Sequence, residues 1–365
     1  MMGSEPVLVA GGLAGGYGKK LVFEGMELEV RAKEVLTLMG PNGAGKSTVL
    51  KTLAGQLKSF GGRVVLCGRD MQEQSRGEIA AKAAVLLTGR VDTERMTCFE
   101  TAAAGRYPYT GRLGILREQD VRAIRDAMEL TGTWELRDRE LGAVSDGQRQ
   151  LVMTARAIAQ EPEIMLLDEP TSYLDIDRKL RVLRMLREYA NSHGTAVVMT
   201  LHELDLAQRF SDRVLCIKEG RPFMTGTPAE VFRPGNIEEL YGMSAGAYDC
   251  LHGTAELLRT GREPEAFVIG GGGMGMEVYR DLQRRGIPFA AGVIHENDTE
   301  YFTALTSAEE VISERAFEPV GEKAYGRARQ VMRDIMARGG RVICCCENFG
   351  TMNRLNLKLK EEAGL

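Results

Sequence analysis

Nine consecutive residues near the start of the chain form a pattern that binds phosphate: Gly40, Pro41, Asn42, Gly43, Ala44, Gly45, Lys46, Ser47 and Thr48. Glycines at three of these positions allow successive backbone N–H groups to turn inward around phosphate oxygens. The Lys46 ammonium can reach the terminal phosphates, and the Ser47 hydroxyl can ligate Mg²⁺. We therefore expect this loop to bind a purine nucleoside triphosphate.

The residues on both sides of the loop predict the elements that position it. Residues 34–39 are mostly apolar and predict a strand, and Val49, Leu50 and Leu53 follow at helical spacing. A strand, a glycine-rich loop and a helix, in that order, are the context in which this motif binds phosphate. The alternative, a glycine-rich turn that matches the motif by chance, does not explain this flanking pattern.

Four further segments follow in an order and spacing typical of one ATPase design. Residues 164–169 are four apolar residues followed by two acids, 144–150 read Val-Ser-Asp-Gly-Gln-Arg-Gln, 172–175 read Ser-Tyr-Leu-Asp, and 199–202 end in histidine. With the phosphate loop, these segments resemble the ATP-binding subunits of ABC transporters. The resemblance covers residues 7–242 and implies an α/β P-loop ATPase core with a helical subdomain that carries the signature segment.

The resemblance implies catalytic roles for Lys46, Glu169 and His202. Glu169 would orient or deprotonate the attacking water, and His202 would contact the γ-phosphate. Ser47 and Asp168 would hold Mg²⁺. The simpler alternatives are two solvated acids at a strand end and a structural histidine. However, acids seldom follow four apolar residues without a cation or a proton to handle.

The resemblance also implies that residues 144–150 act on a second copy of the chain. Ser145, Gly147 and Gln148 would contact the nucleotide bound by the opposite subunit, so that two chains enclose two ATP molecules head to tail. Asp146 stands where the family usually has a glycine. This difference is tolerable if the Asp146 side chain points away from the phosphates. Residues 172–175 would couple the two sites.

Two positions complete the nucleotide site that the resemblance implies. Tyr17 stands where the family stacks an aromatic ring on adenine, and an exposed loop tyrosine is the alternative. Thr88 stands where the family usually has a glutamine that senses Mg²⁺. A threonine can still donate and accept a hydrogen bond, but its shorter side chain counts against direct metal contact.

Segments outside the nucleotide site indicate the cargo. Residues 96–100, 104–109, 211–214 and 226–232 resemble importers of iron-siderophores, haem and cobalamin. The resemblance implies integral-membrane permease subunits and a substrate-binding protein as partners, at the cytoplasmic face of the cell membrane. The alternative is a soluble ATPase of this type that drives assembly or remodelling of a complex. The surface between Thr88 and Gly111, which would dock the permease, distinguishes these interpretations.

Composition excludes several other classes of protein. Of the 365 residues, 44% are hydrophobic and 27% are charged, and the net charge of −4 argues against nucleic acid as a partner. No apolar run reaches the roughly 20 residues that span a bilayer, and the first residues lack the basic region of a signal peptide. The seven cysteines predict reduced, mostly buried thiols. A metal or redox role for residues 344–346 is the alternative.

The chain is long enough for a second domain. We expect an ATPase domain at residues 1–245, a glycine-rich irregular stretch, and a small Rossmann-like α/β domain at residues 255–365. Residues 266–275 predict a strand and a Gly-x-Gly-x-x-Gly turn, and Glu296 follows the next strand where a dinucleotide-binding unit contacts ribose. The turn predicts either a nucleotide or metabolite sensor, or a glycine turn needed only for close packing of strand and helix.

Overall fold

The computed structural model describes residues 5–87, 95–111 and 114–365. The chain divides into two compact units, Met1–Asn236 and Ile237–Leu365. This division falls earlier than the expected domain limits of 245 and 255, which remain a prediction. No helix in the described ranges is both long enough and apolar enough to cross a membrane.

The N-terminal unit alternates strands and helices along most of its length. In chain order its elements are β1 (Pro6–Tyr17), β2 (Lys20–Arg31), β3 (Val35–Met39), α1 (Lys46–Leu53), β4 (Ser59–Leu66), β5 (Arg69–Asp70), α2 (Arg76–Lys82), β6 (Ala83–Leu86), α3 (Cys98–Ala103), α4 (Glu118–Leu130), α5 (Asp146–Ala159), β7 (Ile164–Leu167), α6 (Ile176–His193), β8 (Ala196–Thr200), α7 (Leu204–Phe210), β9 (Arg213–Lys218), β10 (Arg221–Gly226) and α8 (Pro228–Val231). The next helix, α9 (Asn236–Tyr241), begins at Asn236, which is the last residue of the N-terminal unit.

A mostly parallel sheet forms the centre of this unit. Its described strands have the order β10-β9-β3-β8-β7-β6, and only β10 runs antiparallel to its neighbour. Every residue of β3, β7 and β8 is buried, as expected for strands covered on both faces. Since parallel strands end at the same edge, the segments that follow β3, β7 and β8 lie side by side. These segments carry the phosphate loop, the two acids and the histidine.

An antiparallel sheet combines strands that precede the phosphate loop with strands that follow it. Its described strands have the order β2-β1-β4-β5. Alternate residues of β1 and β2 point inward, and Leu8, Phe23 and Met26 pack in one core with Leu38 and Val49. This packing brings the end of β1, and therefore Tyr17, close to α1.

The C-terminal unit is a small three-layer α/β domain, as the sequence predicts. Its described elements, in chain order after α9, are β11 (Gly246–Asp249), β12 (Thr254–Leu257), β13 (Ala266–Ile269), α10 (Met276–Arg284), β14 (Phe289–His295), α11 (Tyr301–Ser307), β15 (Glu310–Glu314), α12 (Glu322–Ala337), β16 (Arg341–Cys344) and α13 (Arg354–Glu362). The parallel sheet has the order β15-β14-β13-β16. One apolar core joins it to α12 and α13, and another joins it to α10 and α11.

The glycine-rich stretch that the sequence predicts as irregular contains the antiparallel hairpin β11–β12. Buried carboxylates hold it in place. Asp249 accepts hydrogen bonds from the backbone N–H of Leu251, at 2.8 Å, and of His252, at 3.1 Å. Glu256 is buried and pairs with Arg280 of α10. Side-chain contacts therefore order a segment whose local composition favours turns.

Candidate nucleotide-binding site

The phosphate loop is closed around its own lysine. Lys46 begins α1, and its Nζ donates hydrogen bonds to the carbonyl oxygens of Gly40, at 2.7 Å, and Pro41, at 3.0 Å. Burial lowers the pKa of Lys46 below its ordinary value, and the neighbouring carboxylates of Glu169 and Asp168 oppose that shift. The ammonium thus lies near the predicted base Glu169 and the predicted magnesium ligand Asp168, in the position from which it can meet phosphate oxygens.

The phosphate loop begins directly after β3 with Gly40, and the backbone there accepts only glycine without strain. Gly40 has φ of 144°, and a Cβ built on it would lie 2.0 Å from the carbonyl oxygen of Ile217 in β9. Side chains rarely adopt this conformation, so glycine alone fits without strain. The predicted motif glycine therefore has a structural reason beyond phosphate binding.

Two hydroxyl groups converge on Asp168, directly after β7. Ser47 Oγ donates a hydrogen bond to Asp168 Oδ1 at 3.0 Å, and Thr200 Oγ1 donates to the same oxygen at 2.8 Å. Asp168 is completely buried. The structure thus brings together Ser47 and Asp168, the two described residues that the sequence predicts as magnesium ligands. The third, Thr88, lies outside the described residues.

Glu169 is held by contacts at both its backbone and its carboxylate. Its backbone has φ of 49°, which is uncommon for a residue other than glycine. Its N–H donates to Thr200 Oγ1 at 2.8 Å, and its carbonyl accepts from Gln150 Nε2 at 3.2 Å. Ser172 Oγ donates to one carboxylate oxygen at 2.8 Å, and His202 Nε2 lies 2.6 Å from the other. The predicted base and the predicted γ-phosphate contact are therefore paired.

The signature segment forms the start of α5. Ser145 caps the helix, because its Oγ accepts a hydrogen bond from the N–H of Gln148 at 3.3 Å. Gln148 Oε1 accepts one in return from the N–H of Ser145 at 3.1 Å. The Asp146 side chain is 65% exposed, and its carboxylate lies 3.2 Å from Arg149 Nη1. Asp146 thus turns toward solvent and Arg149.

The signature glycine touches the loop that follows the catalytic acids. A Cβ on Gly147 would lie 3.0 Å from the carbonyl oxygen of Tyr173 and 3.3 Å from the Leu174 side chain. Both neighbours belong to the segment 172–175 that the sequence predicts to couple two nucleotide sites. Close packing here joins the signature helix to that segment within one chain.

The predicted adenine contact lies at the edge of the same region. Tyr17 is 47% exposed, at the end of β1. Lys51 Nζ of α1 lies 6.0 Å from the centre of its ring. The ring is accessible to a planar ligand and sits beside the helix that begins with Lys46.

Three residues contact Asp168 or Glu169 although the sequence does not predict these contacts: Gln150, Ser172 and Thr200. Thr200 is the polar last residue of a strand that is otherwise apolar, which is a recognisable signal. Ser172 and Gln150 lie in segments that the sequence singles out for other roles. Their contacts with Glu169 depend on how α5 and the loop after β7 pack, and local spacing does not report this.

Residues 104–109 resemble the part of importers that contacts the permease. Some of their side chains are buried and others are exposed. Arg106 is buried, and its Nε lies 3.0 Å from Asp120 Oδ1, while Nη1 lies 2.6 Å from Glu161 Oε2. The guanidinium also stacks over Tyr109, 4.3 Å from the ring centre. Tyr107 is 73% exposed. Arg106 therefore stabilises the helical subdomain, and Tyr107 remains available for contacts.

In the glycine turn of the C-terminal unit, backbone N–H groups donate hydrogen bonds to two carboxylate side chains of the same unit. Asp298 accepts hydrogen bonds from the N–H of Gly272, at 2.6 Å, and of Gly273, at 3.1 Å. Glu300 is buried and accepts from the N–H of Gly275 at 2.7 Å and from Tyr279 Oη at 2.7 Å. Burial raises the pKa of Glu300 above its ordinary value. These contacts favour the packing interpretation of the turn over the sensor interpretation.

The cysteines of the described ranges form no disulfide. Burial raises the pKa of both Cys345 and Cys346 to about 12, so these thiols are protonated at neutral pH. No group of three or more His, Cys, Asp or Glu side chains in the described part of the chain is arranged to hold a metal ion. Cys98, Cys216 and Cys346 are buried and the other four cysteines are half-buried, so the expectation of mostly buried thiols is met only in part.

Comparison with known proteins gives the family. The ABC transporter family matches residues 23–172, and the MJ0874 family matches residues 289–365. The uncharacterized ABC transporter ATP-binding protein MJ0873 of Methanocaldococcus jannaschii is 40% identical over 271 residues, which are 74% of this chain and 93% of that protein. The chain belongs to the ATP-binding proteins of ABC transporters.

Other members of this ABC family agree with the assignment. An iron(3+)-hydroxamate import ATP-binding protein of Bacillus subtilis is 36% identical, over 63% of this chain and 86% of that protein. A hemin import ATP-binding protein of Streptomyces coelicolor is 40% identical, over 65% and 84%. The solved structure of an ATP-binding subunit of an ABC transporter has a TM-score of 0.56 at 25% identity, over 65% of this chain and 95% of that one.

The family membership confirms the predicted fold and enzyme class. The chain is an ABC ATPase that binds nucleotide. The predicted α/β core is confirmed by the likeness to solved ABC subunits. The roles of individual site residues remain predictions.

Proposed function

We propose that this ABC ATPase binds Mg²⁺ and ATP at the phosphate loop, hydrolyses the ATP between two copies of the chain, and thereby drives import of an iron chelate or a corrinoid. The observation that carries the proposal is the convergence of Ser47, Asp168, Glu169 and His202 within hydrogen-bond distance, at the edge where β3, β7 and β8 end. Ser47, His202 and the adjacent acids Asp168 and Glu169 come from three separate segments, so a chance cluster of polar residues is a poor explanation.

The side chains at this edge fit a magnesium ion. Ser47 and Asp168 present a hydroxyl and a carboxylate oxygen 3.0 Å apart, and Mg²⁺ prefers oxygen ligands. These two residues would hold the ion. When bound, Mg²⁺ neutralises charge on the β- and γ-phosphates.

The remaining residues of the site bind phosphate and handle water. Lys46 would exchange its hydrogen bonds with the carbonyls of Gly40 and Pro41 for phosphate oxygens. His202 would leave Glu169 and contact the γ-phosphate. Its departure frees one oxygen of the Glu169 carboxylate to orient the attacking water, while Ser172 keeps the other oxygen in place. ATP binding would therefore break the contact between His202 and Glu169.

A second copy of the chain would complete each site. Ser145, Gly147 and Gln148 would contact the nucleotide held by the partner, and Tyr17 would stack on its own adenine. The orientation of Asp146 supports this role, because its carboxylate lies beside Arg149 and is exposed. A charge facing the phosphates would oppose such a dimer.

The cargo and the membrane partner are proposed from the relatives and from one surface feature. The names of relatives include importers of iron(3+)-hydroxamate, hemin and cobalamin. Tyr107 exposes an aromatic side chain in the segment that resembles the permease contact of such importers. A permease and a substrate-binding protein would therefore assemble with this chain, and the ATPase would lie at the cytoplasmic face of the membrane.

The test is transport by a reconstituted complex. The chain would be purified with its permease in liposomes, and uptake of ferric hydroxamate, haem and cobalamin would be measured with and without ATP. We expect ATP-dependent uptake of one of these cargoes, its loss in Lys46→Ala, and normal uptake in Lys58→Ala, a control at an exposed lysine. Uptake of none of the three would contradict the cargo, and copurification with water-soluble proteins alone would contradict the transport role.

A further inference from the structure

Thr200 lies between the two acids of the site and contacts both of them. It is the last residue of β8 and is completely buried. Its Oγ1 lies 2.8 Å from Asp168 Oδ1 and 2.8 Å from the backbone nitrogen of Glu169. One hydroxyl group therefore joins the end of β8 to the residues that follow β7.

The chemistry of the three groups fixes the direction of both hydrogen bonds. The backbone N–H of Glu169 can only donate, so the Thr200 oxygen accepts from it. The single hydroxyl proton of Thr200 then points to Asp168 Oδ1. That oxygen also accepts the hydroxyl proton of Ser47 at 3.0 Å. Asp168 is consequently oriented by two donors and presents an acceptor, which is the form that a metal ion requires.

The contact between Thr200 and Glu169 restrains the backbone of Glu169. Glu169 has φ of 49°, a conformation that costs free energy in any residue other than glycine. The hydrogen bond from its N–H to Thr200 Oγ1 compensates a buried donor in this turn. Without the hydroxyl, the turn that directs the Glu169 side chain toward His202 would lose this restraint.

We propose that Thr200 is a positioning residue of the ATPase site. It orients the Asp168 carboxylate for the metal ion and holds the Glu169 backbone. The metal-directed part of this inference rests on the proposed function, because it takes Asp168 to hold Mg²⁺. The backbone part rests only on contacts within the chain.

The substitutions Thr200→Val and Thr200→Ser separate the hydroxyl from the rest of the side chain. Valine keeps the branched shape that fills the buried position and removes the hydroxyl. Serine keeps the hydroxyl and removes the methyl group. If shape alone mattered, serine would be the more harmful change. Since the hydroxyl makes both contacts, we expect the opposite order.

The first measurement is metal affinity, which does not depend on turnover. Mn²⁺ is titrated by electron paramagnetic resonance into the full chain with a non-hydrolysable ATP analogue. We expect Thr200→Val to weaken Mn²⁺ binding about 10- to 100-fold, the usual effect of losing a group that orients a metal ligand. We expect Thr200→Ser to stay near wild type. Equal affinity in wild type and Thr200→Val, or equal weakening by both substitutions, would overturn the metal-directed role.

The second measurement is hydrogen exchange of the Glu169 amide in the metal-free chain. We expect faster exchange in Thr200→Val and wild-type exchange in Thr200→Ser, with the fluorescence melting curve of Trp134 showing that both variants are folded. Unchanged exchange in Thr200→Val would overturn the backbone role. A wild-type chain that binds no Mn²⁺ with the analogue would instead refute the proposed metal site, and with it the metal-directed part of this inference.

Discussion

Replacing Gly40 with alanine tests whether the exit of the phosphate loop is as constrained as the structure indicates. The added Cβ would lie 2.0 Å from the Ile217 carbonyl oxygen, and real Cβ contacts essentially never fall below 3.0 Å. Backbone of β3 or β9 must therefore move by about 1 Å, at a cost of about 2 kcal/mol for overpacking. The φ of 144° adds about 2 kcal/mol of backbone strain.

A matched control separates these two costs. Gly43 also has positive φ, at 81°, but a Cβ there would meet nothing within 4 Å. Gly43→Ala should therefore cost only the backbone strain, about 2 kcal/mol. For a unit of this size the melting temperature falls about 3 °C per kcal/mol, which gives a loss of about 12 °C for Gly40→Ala and about 6 °C for Gly43→Ala.

The assay is fluorescence-monitored thermal unfolding. Trp134 is the only tryptophan of the chain and lies in the N-terminal unit, so its emission reports on that unit alone. Equal melting temperatures for the two variants would refute the reasoning, because they would mean that the contact with Ile217 costs nothing.

Two further substitutions, one in each unit, test contacts made by carboxylate side chains. A backbone hydrogen bond from Arg117 and then the Arg106 guanidinium lower the pKa of buried Asp120, so its contribution to stability is present at neutral pH and is lost as the pH falls through that lowered pKa. Asp120→Asn should lower the free energy of unfolding by about 3 kcal/mol at pH 7 in urea titrations, and by less toward pH 3; a difference independent of pH would contradict this account. In the C-terminal unit, Asp298→Ala should speed amide hydrogen exchange at Gly272 and Gly273 and leave Gly261 unchanged, whereas unaltered exchange would show that the carboxylate does not hold the turn.

Local spacing was enough to predict the elements on both sides of the phosphate loop, because the motif is contiguous and its flanking elements are periodic. The strand predicted at residues 34–39 is observed as β3, and the apolar run at the start of residues 164–169 is observed as β7, since each is a short apolar run. A parallel sheet then places Lys46, Asp168 and His202 at one edge. Sequence therefore sufficed for the residues that lie at strand ends.

Contacts between distant segments could not be predicted. Thr200 reaches Asp168 only because β8 pairs with β7 in a particular register, in which Met199 lies opposite Leu167. In the C-terminal unit, the Gly-x-Gly-x-x-Gly spacing predicts a turn with free amides. It does not reveal that Asp298 and Glu300, over 20 residues later, supply the carboxylates that occupy them.

The antiparallel sheet shows a different limit. A simple alternation of strands and helices does not describe the start of the chain, because β1 and β2 pair with each other. Alternation of buried and exposed residues in both strands is consistent with an antiparallel pair. The strand β1 also pairs with β4, which lies beyond the phosphate loop and α1 in the chain. This long-range pairing follows from the apolar core that the two strands share.

In the proposed cycle, ATP brings two copies of the chain together, and hydrolysis assisted by Glu169 separates them again. The most direct measurement is the mass in solution of Glu169→Gln with and without Mg-ATP, with Glu163→Gln, an exposed acid just before β7, as the matched control. We predict that Glu169→Gln changes from monomer to dimer only with Mg-ATP, and that Glu163→Gln behaves as wild type. A mass of Glu169→Gln that does not depend on nucleotide would contradict the account.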